Sequence, residues 1–247
     1  MITLHKEAVR MSLFEDLAAA NRILAEQGVI DGYGHVSMRS DRDANRYFLS
    51  RAIAPELVTE EDIIEYDLDS NPIDARGRDS VQERFIHGEI YKTRPEVGAV
   101  VHNHSPSVIP FGITTESLRP IFHMAAFVGE GVPTFEIRDA EKGTDLLVKT
   151  PHLGRALATT LGGKPAALMR GHGAVVVGES LPRAVGRSIY LEISARMQMQ
   201  AMMIAGPAGK ITCLDDSEVK ASIGPQNYAR AWNMWRSKAL ARIRSEK

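Results

Sequence analysis

Three histidines and one glutamate have the types and spacing for metal-assisted chemistry. His102 and His104 flank Asn103 in Ala99-Val100-Val101-His102-Asn103-His104-Ser105-Pro106, and His172 sits between glycines in Arg170-Gly171-His172-Gly173. Side chains two apart on a strand share a face, so the first pair presents two imidazoles together and a Gly-rich turn can bring the third. Three protein ligands leave a coordination position open, as a catalytic metal requires and a closed structural site does not. Glu83 lies 19 residues before His102; pairing with Arg84 or capping a helix start would be a purely structural use of it. Three imidazoles suit Zn2+, with Mn2+ or Co2+ also compatible.

Other side chains could join such a site. His87 is one helical turn beyond Glu83 and either faces the same site or packs within its helix. His35 either contacts substrate or holds a loop, and Arg51 has the same two options. His123, in Phe122-His123-Met124, could donate to substrate, including across a subunit interface. Met197, Met199, Met202 and Met203 read as helix packing. Trp232 and Trp235 cover either an active site or an interface.

The elements that must position these groups follow from periodicity. Leu13, Leu17, Ala20, Ile23 and Leu24 predict a helix over 6–27, stopped by Gly28. Short strands are expected at 35–38, 47–50 and 63–66, and Asp69-Ser70-Asn71-Pro72 is a turn. A helix is expected over 81–94, ended by Pro95, then a strand over 97–102 that delivers His102. A further helix is expected over 106–112, and alternating short strands and Gly/Pro turns over 119–137. Beyond these come a helix at 151–161, strands at 166–170 and 174–178 meeting at His172, a helix at 182–205 and a last helix at 225–244. No linker, repeat or low-complexity segment divides the chain. The pattern predicts one α/β domain over residues 1–247, with a mainly antiparallel central sheet covered by helices.

Composition narrows the function classes. The 247 residues are 44% hydrophobic and 25% charged, ordinary for a globular protein. A formal net charge of -1 and the lack of a basic block give no general attraction to nucleic acid or anionic membrane. Cys213 is the only cysteine; it excludes an internal disulfide and fits a reducing cytoplasm. No apolar stretch is long enough to span a membrane, and the N-terminus lacks the apolar core of a signal peptide.

The ordered segments Gly34-His35-Val36-Ser37, Glu83-Arg84-Phe85-Ile86-His87, His102-Asn103-His104-Ser105-Pro106 and Gly171-His172-Gly173 resemble those of the class II aldolase/adducin family, along nearly the whole chain. The resemblance implies a three-layer α/β/α fold. It implies a divalent metal on His102, His104 and His172, Glu83 as acid/base, and a homotetramer with active sites at subunit interfaces acting on a small-molecule substrate. One departure matters. Sugar-phosphate aldolases of the family carry Gly-Asn-x-Ser, a Thr-Gly or Ser-Gly pair, and a Ser-Ser pair before the glutamate. Here those positions read His35, Ser50-Arg51 and Val81-Gln82. A phosphate dianion needs several small donors and exposed amides, whereas His35 and Arg51 suit carboxylates. The chain is similar in this respect to the family's decarboxylases of hydroxylated aromatic or pyridine dicarboxylates.

Both activities break a carbon–carbon bond and leave electrons that need an oxyanion sink, which a divalent metal supplies as a Lewis acid. A metal-dependent decarboxylase is therefore the first expectation, and an aldolase or epimerase acting on a sugar phosphate the second. A non-enzymatic adducin-like interaction module is third, since such a module has no need of an open metal site. No dinucleotide or phosphate-binding glycine loop is present in the sequence.

Overall fold

The computed structural model describes residues 2–224 and 228–246, with side chains from Leu13 onward. In chain order it contains α1 (Ile2–Glu26), β1 (His35–Arg39), β2 (Arg46–Ser50), β3 (Ile63–Asp67), α2 (Phe85–Thr93), β4 (Ala99–Asn103), β5 (Thr134–Phe135), α3 (Pro151–Leu161), β6 (Ala166–Met169), β7 (Gly173–Gly178), α4 (Leu181–Ala205), α5 (Asp216–Ile223) and α6 (Ala229–Ser245). The strands form one sheet in the order β3-β2-β1-β4-β7-β6-β5. Every pairing is antiparallel except that of β5 with β6.

The central strands are apolar on both faces, as strands covered by helices on each side must be. Val101 and Val36 face a core shared with Leu17, Ile23 and Leu24 of α1, Val185 of α4 and Trp232 and Trp235 of α6. Val100, Val175 and Val177 face the other side, against Ile86 and Ile90 of α2 and Leu153 and Leu157 of α3. Burying one such valine or leucine contributes about 1.5–3 kcal/mol. The two layers hold β4 between them by hydrophobic burial rather than by any charge. The two tryptophans thus pack in the core with α1. On α4, Met199 packs against a third apolar cluster, but Met203 is 82% exposed, so the methionine group is not uniformly packing.

The α/β class and the mainly antiparallel sheet agree with the sequence expectation; several boundaries do not. The helix expected over 81–94 begins only at Phe85, and Gln82–Arg84 form a 3-10 turn in which Glu83 has φ -86° and ψ 19°. The segment 106–112 holds only a 3-10 turn, Ile109–Gly112, because Pro110 removes a backbone donor. The strands expected across 119–137 are mostly absent: His123–Glu130 is a 3-10 helix, and only Thr134–Phe135 pairs. Its apolar residues Ala125, Phe127 and Val128 pack against α4 and the sheet face instead of extending the ladder. Helix α5 was not expected; Asp215 and Glu218 form a reciprocal capping box at its start. The last helix begins at Ala229, and residues 225–227 of its expected start lie outside those described.

Candidate metal centre

The register of the central strands builds the site. His35 of β1 stands opposite His102 of β4, which in turn stands opposite Val175 of β7. His35, Ser37, Val100 and His102 share the sheet face that α2 covers, so the start of α2 meets these imidazoles. Two glycines allow the close approach. A Cβ at Gly173 would lie 1.9 Å from the carbonyl oxygen of Asn103, so only glycine lets the turn carrying His172 sit against the end of β4. Gly34 has φ +89°, and a Cβ there would press within 2.7 Å of Ile30.

Glu83, His102, His104 and His172 each offer a ligand atom, and these atoms all lie within 4.8 Å of one another. Glu83 Oε2 is 3.4 Å from His102 Nε2 and 3.5 Å from His172 Nε2, while His104 Nε2 is 3.1 Å from His172 Nε2. The outward nitrogens are anchored. His102 Nδ1 donates to the Ala174 carbonyl at 3.2 Å, and His172 Nδ1 donates to the Leu146 carbonyl at 2.9 Å. Each bond fixes a tautomer that leaves an Nε2 lone pair facing inward, the usual arrangement behind a metal-ligating imidazole. His102 Nε2 is buried without a hydrogen-bond partner. An unsatisfied buried group costs about 1–3 kcal/mol, and a bound cation removes that cost. Three imidazoles fit a divalent ion such as Zn2+ or Mn2+ with a coordination position left open beside the Glu83 carboxylate.

Electrostatics agree with the geometry. Burial pushes His172 down to about 4, because a second proton on the ring would have to be carried away from water. Burial also lowers His104. Both rings are therefore neutral donors of lone pairs at neutral pH. Burial works to raise the Glu83 carboxyl, but the neighbouring His102, then His172 and the Val148 N–H, overcome it and hold the group at about 2. Glu83 is thus ionised, with Oε1 accepting from Val148 N–H at 2.8 Å and Oε2 turned to the imidazoles.

The cluster lies at a cavity of about 860 Å³ lined by His35, Ser50, Glu83, His104 and His172, with Ala52, Ile53, Ala54, Val81, Leu146 and Leu147 as apolar wall. Val81 and Gln82 both line it, where a phosphate pocket would require small hydroxyl donors.

A family description, Class II Aldolase and Adducin N-terminal domain, matches residues 15–199. The chain belongs to the class II aldolase/adducin family. Among its family relatives, decarboxylase tropJ of Talaromyces stipitatus is 35% identical over 86% of this chain and 88% of its own length. The 3,4-dihydroxyphthalate decarboxylase of Arthrobacter keyseri is 28% identical over 88% and 90%. The L-fuculose 1-phosphate aldolase structure from Glaciozyma antarctica superposes with a TM-score of 0.77 at 24% identity, covering 97% of this chain and 92% of the other, and shows the shared fold. Decarboxylation and aldol cleavage, the activities named among the relatives, both break carbon–carbon bonds, and this family member is a carbon–carbon lyase.

Within this class II aldolase fold, not every expected residue reaches the cavity. Arg51 is not among its lining residues; its Nε is spent on Asp62 Oδ1 at 2.6 Å. The reason is strand alternation: Ser50 closes β2 facing the cavity, so the next residue turns away. His123 is exposed and also outside the lining of its own chain's cavity. His87 is fully buried, behind His35 rather than in the cavity. The site also uses residues that no side-chain motif reveals. Leu146, at φ 73°, turns its carbonyl to His172, and Val148 gives its N–H to Glu83; both act through backbone. Glu192, buried in α4, accepts from Ser105 Oγ at 2.7 Å and Ser107 N–H at 3.0 Å, pinning the loop beyond His104.

Proposed function

We propose that this protein is a metal-dependent, non-oxidative decarboxylase of a hydroxylated aromatic or pyridine acid, with dicarboxylates such as a dihydroxyphthalate as its leading substrate class. The observation that carries the reading is the convergence of three imidazoles and Glu83 at one end of a cavity whose other walls are largely apolar. An aromatic ring buries favourably against Val81, Leu146 and Leu147. Likeness to tropJ and to 3,4-dihydroxyphthalate decarboxylase supports the same choice. His102, His104 and His172 would hold the ion, which supplies Lewis-acid stabilisation of a developing oxyanion when bound.

Glu83 moves the proton. As an ionised carboxylate it accepts the proton of a ring hydroxyl ortho to the departing carboxylate, then delivers it to the ring carbon bearing that carboxylate. The product of that transfer is a β-keto acid tautomer of the substrate. The carbon–carboxylate bond then breaks, its electron pair returns to the ring to restore aromaticity, and carbon dioxide leaves. The negative charge of the carboxylate ends on the ring oxygen. The Val148 N–H bond keeps Oε1 engaged, so Oε2 is the oxygen free to carry the proton. His35 and Ser50, beside Tyr33 and Gln82 in the same lining, orient further substrate oxygens, now that Arg51 is committed to Asp62.

The proposal includes a homotetramer with sites at subunit interfaces; His123 then serves only a neighbouring subunit's cavity. The test is carbon dioxide release from hydroxylated benzoates, phthalates and pyridine dicarboxylates by the metal-loaded protein, beside aldol cleavage of sugar phosphates. Retro-aldol cleavage with no carbon dioxide from any hydroxylated acid would replace this reading with a sugar-phosphate aldolase.

A further inference from the structure

From His35 in the cavity wall runs a chain of four buried polar groups, of which the proposed reaction uses His35 alone. His35 Nδ1 is 2.6 Å from His87 Nε2. His87 Nδ1 is 2.6 Å from Ser37 Oγ. Ser37 Oγ is 2.9 Å from the Tyr91 hydroxyl. All four residues are 5% exposed or less, so each proton must find its acceptor within the chain. Two ring nitrogens 2.6 Å apart can share only one proton, so the two rings cannot both be imidazolium, and burying an imidazolium in this dry interior is costly. Each ring therefore carries one N–H.

The direction of the chain follows from counting protons. Either hydroxyl could donate across the Ser37–Tyr91 contact, but Ser37 Oγ has a second partner in His87 Nδ1, whereas Ser37 is the one side chain hydrogen-bonded to the Tyr91 hydroxyl among the described residues, so the Tyr91 proton is assigned to Ser37 Oγ. That contact being used, the Ser37 proton goes to His87 Nδ1. His87 then carries its proton on Nε2 and donates it to His35 Nδ1. With Nδ1 accepting, His35 carries its own proton on Nε2. The reverse direction would leave the Tyr91 proton without an acceptor in a dry interior. Residues Ser37, His87 and Tyr91 do not line the cavity, whereas His35 does, beside Ser50, Glu83 and His172.

The geometry points to His35 as a neutral hydrogen-bond donor to an anionic oxygen of the substrate, its Nε2–H tautomer set by the one-way chain Tyr91 to Ser37 to His87. This deepens the functional reading above and rests on it for the substrate class, a hydroxylated aromatic carboxylate. Ser37, His87 and Tyr91 are positioning residues, because none of them lines the cavity and their polar side-chain contacts lead to it only through His35. The arrangement also explains why His35 does not join the metal ligands although it stands opposite His102: a protonated Nε2 has no lone pair to give. A donor without charge recognises a carboxylate oxygen while leaving the ion at the neighbouring imidazoles without a competing cation.

The experiment uses zinc-loaded protein with 15N-labelled histidine. Two-bond nitrogen–proton correlation spectra identify which nitrogen of His35 bears the proton, with His35→Asn supplying the assignment. Wild type is expected to show the Nε2–H form of His35 alone; the Nδ1–H form overturns the inference without reference to any activity. Ser37→Ala is expected to give a mixture of the two forms, and Ser37→Thr, which keeps the hydroxyl, to restore the single form. A single Nε2–H form in Ser37→Ala shows that the chain does not set the tautomer. The probe for the donor role is 2-hydroxybenzoate, titrated calorimetrically. His35→Ala is expected to bind it about tenfold more weakly, the scale of one hydrogen bond, and His35→Asn, which retains an N–H, to recover most of that loss. Equal affinity in wild type and His35→Ala overturns the donor role. If wild type has the expected tautomer but does not bind the probe, the donor role fails together with the aromatic-acid reading, while the tautomer chain stands.

Discussion

Glu83 Oε2 and His102 Nε2 are 3.4 Å apart, yet that histidine nitrogen is buried and makes no hydrogen bond. The lone pair is directed at the carboxylate oxygen and at the space shared with His104 and His172. A divalent ion taken by these donors converts an energetic cost into a bond. Replacing His102, His104 or His172 singly by alanine is therefore expected to lower metal retention by about 100-fold or more, beyond the roughly 10–100-fold typical of a group that only orients a ligand. Elemental analysis with far-ultraviolet circular dichroism checks it. Full metal content in the triple variant, with the fold retained, rejects the ligand set.

Glu83→Gln keeps the size of the side chain and removes the group that carries the proton. Turnover should fall by roughly 100-fold or more, the scale of general acid–base catalysis, with metal content close to wild type. Turnover within a factor of two of wild type would exclude Glu83 as the proton carrier.

The metal-free protein should lose stability as pH falls. His172 titrates at about 4 and His87 at about 3 in the folded chain, and His35 is likewise well below its ordinary value. In the unfolded chain all three take up protons near 6.5. Between those values the unfolded state binds more protons than the folded one, so stability rises with pH. Each histidine contributes a slope of up to ~1.4 kcal/mol per pH unit from about 6.5 down to its folded value. Glu83, lowered to about 2, adds a contribution that is present above about 4.5 and lost toward 2. Urea midpoints of chelator-treated protein measured from pH 7 to 4 provide the check; a flat profile is incompatible with these buried neutral rings.

Arg51→Ala should leave substrate affinity nearly unchanged, because the side chain pairs with Asp62 and lies outside the cavity lining. The pair is partly exposed, so the stability loss should be on the order of 1 kcal/mol or less. A large rise in KM with no loss of stability would return Arg51 to the substrate.

Gly173→Ala forces a methyl group against the Asn103 carbonyl. The expected result is a destabilisation of about 1–3 kcal/mol, the scale of overpacking, together with weaker metal retention as the turn carrying His172 shifts. Thermal unfolding and metal analysis on the same variant read both effects, and wild-type values in the two assays would contradict the close packing of β4 and β7.

The sequence alone determined the local features of this protein. The central strands and the long helices followed from β-branched runs and helical spacing, although 106–112, 119–137 and α5 did not, and His102, His104, His172 and Glu83 were legible as a set because they sit in short motifs of distinctive residue type. The reach of Arg51 and His123 was not legible. Arg51 follows a residue that faces the cavity, and strand alternation sends it to Asp62; His123 lies on a segment whose apolar residues are drawn into a 3-10 helix against α4. Nor did any motif announce Leu146, Val148 or the chain from Tyr91 to His35. Leu146 and Val148 act through carbonyl and amide groups that every residue possesses, so residue type carries no signal there. The buried chain depends on β1 and α2 packing face to face, which sets Ser37 between His87 and Tyr91 at hydrogen-bonding distance. Local periodicity decides which face a side chain takes, but only the closing of the sheet between its two helix layers decides what that side chain meets.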